Sequence, residues 1–426
     1  MNDTAKQGTA GAFATVTTLF FSWGFITSLI DPLVAAVKGI FSLSNVEAQL
    51  TASAFFIAYF FVSLPAALVV SRMKAVPSII LAIALMVAAC FVIMGGATLG
   101  TYGGVLIGLF VMASGITILQ VAANPLAAAL GVPERSHFRL TFSQAFNSLG
   151  TVLGPLIGAK FLLEGVEVEA GEVISDQARD AALGAVDQSF FIIAGLLALL
   201  AGFIWWSRRR IETAAPTPAP AKGFGATITE VLASPWALIG GLAIFLYVGA
   251  EVAIGTQMAL FLNDGDIWDI PLQDAGYYVS LYWLGAMVGR FLGAGLMTRF
   301  AAHRLMTIAA TIAAALCLFV ALTSGVTAGW AALSIGLFNA IMFPVIFTLT
   351  LERSTASEAA TSGFLCLSIV GGAVIPVLVG LVGDISGYST AMLVPMVCYA
   401  ILALIALAAG RAPPVTRGAR AEAELR

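Results

Sequence analysis

The chain has 426 residues, of which 60% are apolar and only 10% charged, against about 45–50% and about 25% in soluble globular chains. So few charges cannot cover the surface of a water-soluble protein of this size. With a net charge of −3 and no basic domain, a nucleic-acid partner has no support; the scarcity of charge makes lipid the solvent for most of the chain.

The polar N-terminus, Met1 to Gln7, runs into an apolar segment longer than a signal-peptide core. It is read as a first transmembrane helix that the mature protein keeps. With a ruler of about 20 apolar residues per span, the first half divides into spans at 14–37, 48–70, 76–97, 103–128, 141–163 and 188–206. The second half divides at 236–262, 275–297, 305–323, 328–351, 360–383 and 389–409. The fifth and eleventh are diluted by Ser, Gln and Asn. The pattern predicts an all-α polytopic membrane protein of twelve transmembrane helices in two pseudo-symmetric six-helix bundles.

Lys and Arg then orient it. With the N-terminus in the cytoplasm, one side holds Arg72, Lys74, Arg135, Arg139, Arg208 to Arg210, Lys222, Arg299, Arg304, Arg353 and the basic residues of both tails. The other holds Lys38, Lys160 and Arg179, with acidic loops around Glu164–Asp180 and Asp264–Asp274. This positive-inside bias places both termini in the cytoplasm of a bacterial inner membrane. Between 207 and 234, the run Ala214-Ala215-Pro216-Thr217-Pro218-Ala219-Pro220 reads as a linker. The predicted division is a bundle over 1–206, a cytoplasmic linker over 207–234, a second bundle over 235–410 and a tail over 411–426.

The halves echo each other. Asp31 answers Glu251, Pro125 answers Pro344 and Pro155 answers Pro376, each at an offset of roughly 220 residues. Matching interruptions mark a repeat-built transporter with its site at the repeat interface. Asp31 and Glu251 are ionisable groups at bilayer depth, where each is unfavourable by about 2.5–3.5 kcal/mol on insertion scales. Gln120 and Asn124 share a face of span four with Thr117, and Gln144, Asn147 and Thr151 share one on span five. Asn339 sits midway along span ten. The spacing puts Tyr247 on the face of Glu251, and Trp23, Tyr278, Tyr282 and Trp283 are further rings able to stack on a sugar. Arg290, in a Gly-Arg-Phe-Leu-Gly run near the cytoplasmic end of span eight, reads first as snorkelling to the membrane surface, with a gating salt bridge as the second reading.

Cys90, Cys317, Cys366 and Cys398 lie in apolar stretches without CxxC spacing, and His137 and His303 lie in short charged loops. A metal site, a nucleophile and a cofactor have no support, and neither does an enzyme. There is no G-x-x-x-x-G-K-[ST] phosphate loop, so transport would have to run on an ion gradient.

Several strings are specific. They are Phe21-Ser22-Trp23-Gly24-Phe25, Gln120-Val121-Ala122-Ala123-Asn124-Pro125, Phe138-Arg139-Leu140, Gln144-Ala145-Phe146-Asn147-Ser148-Leu149-Gly150 and Tyr247-Val248-Gly249-Ala250-Glu251. Tyr278-Val279-Ser280-Leu281-Tyr282-Trp283, Phe338-Asn339, Ile341-Met342-Phe343-Pro344 and Ile369-Val370-Gly371-Gly372 continue the series. In these the chain resembles the sugar branch of the major facilitator superfamily, which contains the fucose:proton symporter and the bacterial glucose/galactose transporters. Gln120 stands where fucose symporters have a glutamate, and Ile30-Asp31-Pro32 replaces their Asn-Asp pair. At Gln120 and Glu251 the likeness is to the glucose/galactose members.

The resemblance implies the major facilitator fold and a functional monomer in the lipid bilayer, taking up a hexose-type sugar with a co-transported cation, a proton or sodium. It implies that Asp31 couples the cation and touches substrate, and that Gln120, Asn124 and Gln144 bind hydroxyls. The polar and aromatic faces add Trp23, Asn147, Tyr247, Glu251 and Asn339 to the substrate set, with Glu251 also in cation coupling. An efflux carrier in the same fold, and a sugar sensor without flux, stand as the alternatives.

Overall fold

A computed structural model of the chain describes residues 3–29, 41, 45–162, 176–215 and 223–415. Among the described residues the chain is helical throughout, with no strand. Hydrocarbon offers no hydrogen-bond partner to the backbone, and a helix satisfies its own. The first six helices are α1 (Asp3–Ser28), α2 (Asn45–Met73), α3 (Ala75–Thr98), α4 (Tyr102–Ala129), α5 (Ser136–Leu162) and α6 (Asp176–Ala214). A short amphipathic helix, α7 (Phe224–Leu232), precedes the second set.

That set comprises α8 (Pro235–Asn263), α9 (Leu272–Leu296), α10 (Ala302–Leu322), the pair α11 (Gly325–Asn339) and α12 (Met342–Arg353), the pair α13 (Glu358–Leu367) and α14 (Gly371–Ser386), and α15 (Tyr388–Ala391) with α16 (Leu393–Arg411). Eleven of the described spans are long and apolar enough to cross a membrane. α5 is the twelfth, its apolar character thinned by the Ser, Gln and Asn already noted. Large apolar side chains such as Leu199 and Trp206 on α6 stand exposed, as a lipid-facing wall requires. The architecture is two pseudo-symmetric six-helix bundles.

Three predicted spans are not continuous. Span ten breaks at Ala340–Ile341 between α11 and α12, and span eleven passes through a 3₁₀ turn at Ser368–Val370. Span twelve breaks at Met392, between α15 and α16. Proline explains the first break. Pro344 has no N–H to offer the carbonyl of Ala340 four residues back. Pro125 does the same to Val121 inside α4, without breaking it.

The repeat is visible at the closest helix contacts. A Cβ on Gly150 of α5 would lie 2.4 Å from the Phe21 carbonyl oxygen on α1, and one on Gly371 would lie 2.0 Å from the Phe245 oxygen on α8. In both halves the fifth span and the first touch backbone to backbone, which only small residues permit.

The halves meet mainly from mid-bundle to the end at which α7 lies, here the linker end. α5 packs on α9 through Phe142 and Phe146 against Phe291, with ring centroids 6.2 and 5.9 Å apart. α2 packs on α13, where a Cβ on Gly363 would lie 2.7 Å from Ala67 Cβ. Ser362 Oγ of α13 donates to the Val121 carbonyl freed by Pro125, at 2.9 Å.

Gly150→Val forces α1 and α5 apart. The expected loss is at least the about 1–3 kcal/mol typical of overpacking, read as a lowered Tm in detergent. Gly195→Ala, where nothing lies within 4 Å, leaves Tm unchanged.

Candidate functional site

Glu251 lies midway along α8 and is 9% exposed, as is Arg290 on α9. The Arg290 Nη2 stands 3.3 Å from Glu251 Oε1. Arg290 therefore does not snorkel. It turns inward, because a buried carboxylate within reach offers a better partner than a distant surface. Tyr247, one turn before Glu251, donates to the same Oε1 at 2.7 Å.

Behind this pair stands a neutral scaffold. Tyr282 on α9 donates to the Glu251 backbone oxygen at 3.1 Å. Asn339, the last residue of α11, donates to the hydroxyls of Tyr282 at 2.8 Å and Tyr399 at 3.0 Å. A ring of side chains from four helices thus fixes the height and rotation of α8 around Glu251.

The first half holds its amides in a related way. Gln120 on α4 donates to the Tyr59 hydroxyl of α2 at 2.5 Å, as Asn339 does to Tyr282. Gln144 on α5 donates to Asn124 Oδ1 at 3.3 Å, and Asn147 donates to the Phe20 carbonyl at 3.1 Å. Trp23 is buried against Phe20, ring centroids 4.2 Å apart. Among the described residues, Asn124 Nδ2 in the first half and Asn339 Oδ1 in the second are fully buried amide atoms with no hydrogen-bond partner.

Between the halves lies a cavity of about 130 Å³, lined by Asn147, Ser148, Thr151, Val152, Glu251, Trp283, Ala286 and Arg290. That exceeds the about 10–15 Å³ needed for one water. Of the residues expected at the site, Asn147 and Glu251 line this cavity. Gln120, Asn124, Gln144, Tyr247 and Asn339 are not in its wall but in the hydrogen-bonded groups flanking it, and Trp23, also outside the wall, packs on Phe20. Asp31 lies outside the described residues. Tyr278 is exposed and packs edge-on against Trp268, centroids 4.8 Å apart, at the end of the bundle away from the linker.

Sequence reasoning missed Ser148, Tyr59 and Tyr399. It also missed the linker-end cluster, where His137 of α5 reaches across the halves. Its Nε2 is 3.1 Å from Glu352 Oε1 and its Nδ1 2.5 Å from Thr348 Oγ1. Ser136 Oγ donates to the same Glu352 oxygen at 3.2 Å. Arg139 caps α4 through the carbonyls of Ala127 and Ala128, satisfying helix-end acceptors. Among the described residues no group of His, Cys, Asp and Glu could hold a metal ion.

Two helical bundles enclosing a polar, charged cavity at mid-depth define a membrane carrier, not an enzyme. The family model for the Major Facilitator Superfamily matches residues 12–367. The chain belongs to that superfamily and is a multi-pass membrane transporter. It is 37% identical over 406 residues to a glucose/galactose transporter of Brucella abortus, covering 95% of this chain and 96% of the relative. It is 30% identical over 411 residues to the L-fucose-proton symporter of Escherichia coli, covering 92% of each. A crystal structure of the major facilitator transporter FucP in the outward conformation superposes with a TM-score of 0.82 at 28% identity, over 93% of this chain and 98% of that one.

Asn339→Leu removes the donor that two buried tyrosine hydroxyls share. The expected destabilisation is about 1–3 kcal/mol for the stranded groups, measured as a drop in Tm that Asn339→Gln partly restores.

Proposed function

We propose that the chain takes up a hexose-type sugar together with a proton by alternating access, the two halves rocking about the cavity between α5, α8 and α9. The observation that carries this reading is Glu251, a carboxylate buried at mid-depth on the wall of that cavity. The names of the relatives, glucose/galactose transporter and L-fucose-proton symporter, support the sugar and the proton.

In this reading Glu251 takes the proton and Asp31 shares the coupling. Asn147 and Glu251 meet the sugar directly. Gln120, Asn124, Gln144, Tyr247 and Asn339 supply hydroxyl-seeking groups from the flanking clusters, and Trp23 and Asp31 complete the substrate set. The unspent Asn124 Nδ2 and Asn339 Oδ1 suit this role, since a hydroxyl can both donate and accept.

The gradient is sufficient. One charge gains about 2.3 kcal/mol per 100 mV, and one pH unit adds about 1.36 kcal/mol. Together these roughly 3.7 kcal/mol support a sugar gradient of several hundredfold.

The Lys and Arg bias supports placing the linker end and both termini in the cytoplasm of a bacterial inner membrane. The contacts between the halves then close the cytoplasmic side. The domain limits 1–206, 207–234, 235–410 and 411–426 belong to the same proposal, as does a functional monomer, since one chain encloses one cavity.

The test is uptake of a labelled sugar panel into proteoliposomes under separately imposed proton and sodium gradients. Accumulation of glucose or galactose driven by the proton gradient is expected. Accumulation driven only by sodium, or binding without flux, overturns the reading. Glu251→Gln and Asp31→Asn are each expected to abolish accumulation while retaining counterflow exchange. Gln120→Ala is expected to weaken hexose binding about tenfold, the loss of roughly 1.4 kcal/mol, measured by calorimetry.

A further inference from the structure

Arg290 touches three bodies at once. Its Nη2 meets Glu251 on α8, its Nε donates to the Ala340 carbonyl at 3.0 Å, and its Nη1 donates to Ser148 Oγ on α5 of the opposite half. The Ala340 carbonyl is free to accept because the residue four positions on is Pro344. A rigid planar fork can meet three directions together, whereas an ammonium group is a single point.

The three bonds differ in kind. Those to Ala340 and Ser148 are to neutral acceptors, and the one to Glu251 is charge to charge. Arginine keeps its proton in proteins. A proton taken up in this pair therefore goes to Glu251, and it removes the attraction holding the guanidinium towards α8. The two neutral acceptors stay within reach after that event, but the orientation of the fork is no longer determined by three points, so the bond to Ser148 on the opposite half weakens.

We propose that Arg290 is a positioning residue that converts the charge on Glu251 into contact between the two halves. With Glu251 ionised, Arg290 is clamped and its Nη1 clasps Ser148, joining α9 to α5 at mid-bundle. With Glu251 protonated, the clasp slackens and the halves part at that level. Return of the carboxylate to its ionised form draws them together again. This rests on the reading of Glu251 as the proton site, and it adds the route by which the proton reaches the moving interface.

Among the described residues, the other titratable groups facing the pair are phenols. Tyr247 faces it from α8 and Tyr282 from α9, with Tyr399 of α16 behind Asn339. From α5 the pair is faced by Asn147, Ser148 and Thr151, and from the α11–α12 break by Ala340. None of these titrates between pH 5 and 8 as an ordinary tyrosine, amide or hydroxyl, so a pH response of the clasp that persists in Asp31→Asn and is lost in Glu251→Gln reports Glu251.

The test uses the full-length chain in nanodiscs, without sugar. Spin labels are placed at Leu99→Cys and Ile385→Cys, exposed positions in opposite halves at the end away from the linker; the four native cysteines are buried. Pulsed electron resonance is expected to show a label separation that changes as the pH falls from 8 to 5. Glu251→Gln should lock the low-pH separation at every pH. Ser148→Ala, which removes one hydroxyl, should flatten the change by about half or more, and Arg290→Gln should abolish it.

In proteoliposomes with labelled D-glucose, Arg290→Gln should lower accumulation more than about tenfold. Arg290→Lys should fall between. If Arg290→Gln and Ser148→Ala both keep the wild-type pH response, the clasp is wrong even where Glu251→Gln abolishes accumulation. If Glu251→Gln accumulates sugar normally, the underlying reading of Glu251 fails first. Should Arg290→Gln fail to fold, Ser148→Ala alone decides the clasp.

Discussion

A hydrocarbon solvent gives a polar group nothing to bond to, so each such group at depth must find its partner in the protein. The Glu251–Arg290 pair is the sharpest case. Either charge alone is unfavourable at bilayer depth, and removing one partner of a buried pair typically costs about 3–5 kcal/mol. Much of the second half is arranged around keeping them together. Tyr247 saturates the carboxylate, Tyr282 and Asn339 hold the helix that carries it, and the Pro344 break supplies a carbonyl for the arginine.

The same devices recur in the first half without the charge. Gly150 and Gly371 allow matching backbone contacts. Pro125 and Pro344 each release a carbonyl, and each is occupied by a side chain from another helix, Ser362 in one case and Arg290 in the other. Gln120 meets a tyrosine hydroxyl as Asn339 does. The described core of the first half is lined by amides, whereas the second half holds a full ion pair.

The contacts between the halves are graded along the bundle. At the linker end they are many and varied, from aromatic packing at Phe291 to the hydrogen bonds of His137 with Glu352 and Thr348. At mid-depth they include Arg290 with Ser148 beside the cavity, and Phe56 of α2 against Gly372 of α14. A carrier that must switch needs such a gradient, since a contact near the pivot moves little and one near an opening moves far.

Much of this was legible in the sequence, because membrane helices declare themselves by length and apolar content, and helical periodicity determines which neighbours along one helix share a face. Tyr247 beside Glu251 followed from four-residue spacing, and the repeat followed from prolines at a common offset. What could not be read was which faces of distant helices turn towards each other. The partners of Arg290 lie on α5, α8 and the α11–α12 break, far apart in the chain, and no local spacing relates them. The sequence therefore favours the surface for Arg290 over a salt bridge it cannot assign to a partner, and Ser148, Tyr59 and Tyr399 read as ordinary helix residues. Composition and periodicity determined the helices and the repeat. Only the packing of one bundle on the other decided that the arginine points inward, because the free energy of a buried charge depends on what stands across from it and not on its distance from a helix end.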